Sequence, residues 1–134
     1  MTFKKVDTTN HQRPEGKACI LVSGYNEKEL TLILDYTKKV GIENLIEVKN
    51  QEMTLKQIID AVKDDIINEI NEKAIVLNAI SDKELNAFIH DFKTLGLPRP
   101  LFAVVTPTSI NWKFKELVME LLEEKKAFQN RNKK

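Results

Sequence analysis

The chain has 134 residues, 42% of them hydrophobic and 31% charged, with 21 basic and 20 acidic residues giving a formal charge of +1. That size supports one domain with a genuine core, and the even charge gives no basic excess for nucleic acid or an anionic membrane. No run approaches the roughly 18 apolar residues of a membrane span, and the lysines near the N-terminus are not followed by the apolar stretch of a signal peptide.

Residues 1–17 are polar and aperiodic, carry Pro14 and Gly16, and are expected to form a flexible lead-in. Ala18-Cys-Ile-Leu-Val22 is a short apolar run, read as a strand covered on both faces. Cys19, the only cysteine, lies within it, which suits a buried thiol in a reducing, cytoplasmic setting. After Ser23-Gly24, Asn26 with Glu29 forms a capping box for a helix that carries Leu30, Ile33, Leu34 and Val40 and stops at Gly41. Leu45–Val48 reads as a second strand whose Glu47 suits a sheet edge. Thr54 with Gln57 caps a second helix, with Leu55, Ile58, Ile59, Val62, Ile66 and Ile70 at helical spacing.

Lys73–Leu77 is a third strand, and Ser81 with Glu84 caps a helix carrying Leu85, Phe88, Ile89, Phe92 and Leu95 up to Gly96. His90 lies beside that stripe, as a surface or boundary residue. Pro98 and Pro100 hold an extended link into a fourth strand, Leu101–Val105. Ser109 or Asn111 is expected to open a last helix burying Phe114, Leu117, Val118, Leu121 and Leu122, with a solvated basic tail over residues 130–134.

Strands alternating with helices predict a three-layer α/β/α sandwich, flavodoxin-like, around a four-stranded parallel sheet. The expected strand order is 2-1-3-4, with the first and last helices on one face and the middle two on the other. The single domain spans residues 18–129. An internal echo relates Ser23-Gly-Tyr-Asn-Glu-Lys-Glu-Leu30 to Asn78-Ala-Ile-Ser-Asp-Lys-Glu-Leu85, and Gly41 to Gly96. It suggests two tandem β-α-β-α units, in which residues 18–70 would superpose on 73–126.

There is no glycine-rich dinucleotide loop, no phosphate-binding Gly-x-x-x-x-Gly-Lys, no acidic set of a phosphoreceiver, and no metal-ligand or nucleophile–base spacing among Cys19, His11 and His90. In a parallel sheet the carboxyl edge between the first and third strands would gather Ser23, Gly24, Tyr25, Asn78, Thr106, Thr108 and Asn111. These are neutral hydrogen-bonding groups beside helix starts, suited to a small polar or anionic ligand. As helix caps and turn residues, several of the polar side chains in these loops also have a purely structural use.

Ala103-Val-Val-Thr-Pro-Thr108 followed by Asn111-Trp112 resembles a bacterial family of small domains of unknown function, over about the last 55 to 60 residues. That family carries an asparagine where this chain has Ser109. The resemblance implies that Thr106, Pro107, Thr108, Asn111 and Trp112 act as one unit, and it implies no activity or cofactor. The reading is a non-catalytic cytoplasmic module binding a small polar ligand or a protein partner at the sheet's carboxyl edge. One alternative is a small enzyme with a cofactor or metal at the same rim, for which Tyr25 and Glu52 are the groups to inspect. Another is a homo-oligomeric assembly domain, for instance a homodimer formed through an edge strand or the surface near Trp112.

Overall fold

The computed structural model describes residues 16–42, 44–60 and 72–132. The elements are β1 (Cys19–Ser23), α1 (Glu27–Lys39), β2 (Leu45–Glu47), α2 (Leu55–Ile59), β3 (Ala74–Asn78), α3 (Asp82–Phe92), β4 (Leu101–Val104) and α4 (Phe114–Asn132). Most of the expected lead-in, together with Val62, Ile66 and Ile70 of the second helical stripe, lies outside the described residues. Asn26, Thr54 and Ser81 each form a complete capping box, with Glu29, Gln57 and Glu84 as the reciprocal partners. These three helices therefore start where the polar side chains satisfy the first free N–H groups.

The sheet runs β2-β1-β3-β4, the order that the alternation of elements predicts. β1 with β2 and β3 with β4 are parallel, as right-handed β-α-β crossovers require. β1 and β3 are antiparallel, however, with Cys19 opposite Asn78 and Ser23 opposite Ala74. The sheet is thus mixed. Helical and strand periodicity fix direction within one crossover unit, but not the end of the sheet at which the chain re-enters after α2. The described part of α2 ends at its cap Asp60, and the continuation to Ile70 that the apolar spacing predicts lies outside the described residues.

The helix faces follow from this reversal. One core cluster joins α1 and α3, through Ile33, Leu85, Phe88 and Phe92, to Ile20, Val22, Ile75 and Leu77. The other joins α2 and α4, through Leu55, Ile58, Phe114, Leu117 and Leu121, to Cys19, Leu21, Ala74, Val76 and Ala103. This corrects the expected pairing of first with last helix. When the second crossover unit runs both in the opposite direction and toward the opposite edge, the right-handed rule returns its helix to the same face. The face under α1 and α3 is aromatic, with Tyr36, Phe88, Phe92 and Phe102 in mutual edge or tilted contact. The opposite face presents the smaller Cys19, Ala74 and Ala103 to α2 and α4.

The two halves are consequently related by an approximate twofold normal to the sheet, passing between Leu21 and Val76, which face each other 55 positions apart. The same offset links the caps Asn26 and Ser81, and the left-handed glycines Gly41 and Gly96. Across that axis the starts of α2 and α4 are tied together. Thr54 and Lys113 form an isolated antiparallel bridge, with the Leu55 N–H donating to Trp112 O at 2.9 Å and the Phe114 N–H to Met53 O at 2.8 Å.

Candidate functional site

With β1 and β3 antiparallel, the carboxyl ends of the two halves lie at opposite edges of the sheet. Ser23 is four ladder positions from Cys19, the partner of Asn78, so the two predicted site residues stand about 13 Å apart at ~3.3 Å per residue. The rim read from the sequence is therefore divided into two groups.

In the first group, Ser23 Oγ donates to Glu72 O at 3.3 Å, where the chain enters β3. Gly24 has φ +87°, and a Cβ there would stand 2.6 Å from the same carbonyl oxygen. Tyr25 OH donates to Pro98 O at 2.7 Å, its ring packs on Phe92, and the Lys73 ammonium lies 5.7 Å from the ring centroid. Burial, helped by the Glu29 charge, pushes the Tyr25 phenol well above its usual range. The second half repeats the device 55 positions on. Asn78 Nδ2 donates to Lys17 O at 2.9 Å, and Ala79 takes Gly24's left-handed role with φ 55°. Each strand end is thus fastened to the carbonyl that leads into its antiparallel neighbour. Ser23 and Gly24 form a closed seam.

At the end of β4 the hydroxyls satisfy one another. The Thr106 N–H and Oγ1–H both donate to Ser109 Oγ, at 3.0 and 3.1 Å, and the Ser109 N–H donates back to Thr106 Oγ1 at 3.0 Å. Ser109 is fully buried, whereas Thr108 and Asn111 are exposed on a 3-10 turn, Ser109–Asn111. That turn does not open α4 as the sequence suggests. Trp112 leaves it in extended conformation and packs on the α2–α4 core, and the Lys113 N–H donates to Glu116 Oε1 at 2.8 Å ahead of the first helical residue, Phe114.

Between the carboxyl ends of β3 and β4 and the start of α3 lies a cleft of about 230 Å³. Ile80, Leu85, Val104, Pro107 and Ile110 form its apolar walls, and Asn78, Asp82 and Thr106 supply its polar groups. Of the residues expected at the rim, it brings together Asn78 and Thr106. Thr108 and Asn111 lie beside it on the following turn but do not line it. Asp82, only 8% exposed, is the lining residue that the sequence reading missed. Its position in the first turn of a capped helix explains an acid there without reference to a site.

Residues 73–128 match the family described as a domain of unknown function, DUF3783. The matched stretch starts just before β3 and ends within α4, so it covers the second β-α-β-α half and its cleft. This agrees with the resemblance to a small domain family drawn from the residues around Thr106. No curated protein and no solved structure matches the chain.

The remaining groups with distinctive chemistry are accounted for by structure. Glu52 sits 3.4 Å from the Lys113 ammonium and in closer contact with that of Lys115. The Lys115 hydrogen bond, reinforced by the charges of both lysines against partial desolvation, holds its carboxyl below the usual 4.5. A carboxyl so held is ionised at neutral pH and is not poised for proton transfer there. Cys19 is fully buried, and burial pushes its thiol up. Among the described residues, no three His, Cys, Asp or Glu side chains gather as a metal-holding group, and no helix is long and apolar enough to cross a membrane.

Proposed function

We propose that the chain is a non-catalytic cytoplasmic binding module whose ligand or partner docks at the carboxyl ends of β3 and β4. The cleft between Asn78, Asp82, Thr106 and Ile110 carries this reading. The corresponding end of β1 is sealed, since the Glu72 carbonyl and the Lys73 backbone occupy the space beside Gly24. The Asp82 carboxylate on the wall opposes an anion at the start of α3, so the docked group is neutral or cationic and donates hydrogen bonds. The apolar walls fit a small aliphatic body, such as a side chain of a protein partner or the carbon frame of an amine.

Binding is tested on the full chain by NMR titration with a panel of amines, amides and peptides. The reading expects amide shifts at Asn78, Ala79, Thr106 and Ile110, with Ser23 and Gly24 unmoved. Asp82→Asn is expected to weaken a cationic ligand about tenfold, the scale of a lost charge-assisted hydrogen bond. Shifts confined to the Ser23 edge, or no shift with any member of the panel, would count against it.

A further inference from the structure

We propose that a second cleft, distinct from the one at the β3 and β4 carboxyl ends, binds a small organic monoanion with an apolar body, of the aryl or medium-chain carboxylate class. It lies between the C-terminal end of α3 and the approach to β4 and encloses about 270 Å³. Phe92, Phe102, Ile89 and Leu97 make its apolar floor, and Lys93, Arg99 and His90 stand on its rim.

Two observations point to an anion. The Lys93 and Arg99 side chains form no ion pair with any described residue, although both line the same cavity. Lys93 at a helix C-terminus is explained in part by the helix carbonyls. Arg99 belongs to no helix and lies in the extended link before β4. It is held between Pro98 and Pro100, and the Pro98 carbonyl is itself tied down by Tyr25 OH at 2.7 Å. The backbone on both sides of Arg99 is thereby restricted, so a guanidinium is presented over the aromatic floor with little backbone freedom left to lose. Asp91, which follows the rim residue His90 in the chain, is engaged by His90 Nδ1 at 2.9 Å.

The floor selects the anion. A strongly hydrated inorganic ion gains nothing from Phe92 and Phe102, whereas an aryl or alkyl carboxylate buries its carbon frame there and offers two oxygens to the arginine fork. The volume fits such a molecule rather than a nucleotide or other larger cofactor.

The test follows backbone amides of the full chain during titration with 4-phenylbutyrate, with the neutral 4-phenylbutanol, and with inorganic phosphate. The carboxylate is expected to shift Ile89, Lys93, Leu97 and Phe102 and to bind about tenfold more tightly than the alcohol. That preference is expected to vanish in the Lys93→Gln, Arg99→Gln double variant, whose exposed substitutions leave the remaining amide spectrum in place. Equal affinity for acid and alcohol, retention of the preference in the double variant, or phosphate binding as tightly as the carboxylate would overturn the proposal. Unmoved amides around Phe102 would do the same. None of these outcomes bears on the Asn78–Thr106 cleft, whose amides report separately.

Discussion

Gly24 and Ala79 occupy matching places in the two halves, both at positive φ, yet only one of them is a glycine. The difference lies in what a methyl would meet. At Gly24 it would fall 2.6 Å from Glu72 O and 2.8 Å from Lys73 Cα, both backbone atoms that cannot swing away. Gly24→Ala is expected to cost about 3 kcal/mol or more, from the left-handed strain plus displacement of the β3 entry. Ala79→Gly, which relieves strain while removing a buried methyl, is expected to stay within about 1 kcal/mol of the parent. Urea unfolding of both variants checks the pair, and equal effects would contradict the seam. The tyrosines report on the same region. Burial, with the Asp91 charge adding to it, pushes Tyr36 up to about 12, and Tyr25 is likewise raised. For a phenol raised in the folded state, the associated stability is complete below the unfolded value near 10 and is lost as pH rises toward the folded one. Tyrosinate absorbance is therefore expected to stay flat through pH 10 and to rise together with unfolding near 12.

At the scale of elements, capping was the most legible signal. Asn26, Thr54 and Ser81, each with an acid or amide three residues on, locate three helix starts because the capping box is a local arrangement needing no tertiary partner. Ser81→Ala is expected to lose about 1 to 2 kcal/mol, more than Asn26→Ala, because Ser81 is buried and water cannot replace its bond. The fourth start was misplaced because Ser109 has the chemistry of a cap, but its Oγ accepts from the Thr106 N–H and hydroxyl behind it. The helix instead begins after Lys113, where the chain bonds to Met53 and Gln51 from the other half. Nothing local to residues 109–113 encodes that partner. The same junction carries the Glu52 clamp on Lys113 and Lys115. A carboxyl lowered in the folded state contributes stability above its usual 4.5 that is lost as pH falls through its folded value. Glu52→Gln is thus expected to be less stable than the parent at neutral pH, with the gap closing in acid and in high salt. A gap independent of both would mean that the contact is not electrostatic.

For the whole molecule, strand order was legible and strand direction was not. Apolar runs and crossover rules reach the order 2-1-3-4, and the echo between Ser23–Leu30 and Asn78–Leu85 reaches the repeat. Neither reports that the halves meet head to tail across β1 and β3, which depends on the route from β2 to β3. That one reversal moves α3 to the face of α1, separates Ser23 from Asn78, and leaves the cleft at β3 and β4 within the segment matching the domain family. Inter-strand Hα–Hα contacts by NMR test this most directly, since the non-hydrogen-bonded facing pairs of antiparallel strands approach to ~4.5 Å between Cα atoms while parallel neighbours do not. The account predicts Hα–Hα contacts between Ile20 and Leu77 and between Val22 and Ile75, on either side of the hydrogen-bonded pair Leu21–Val76. A pattern placing Ser23 beside Asn78 would contradict it and restore a single rim.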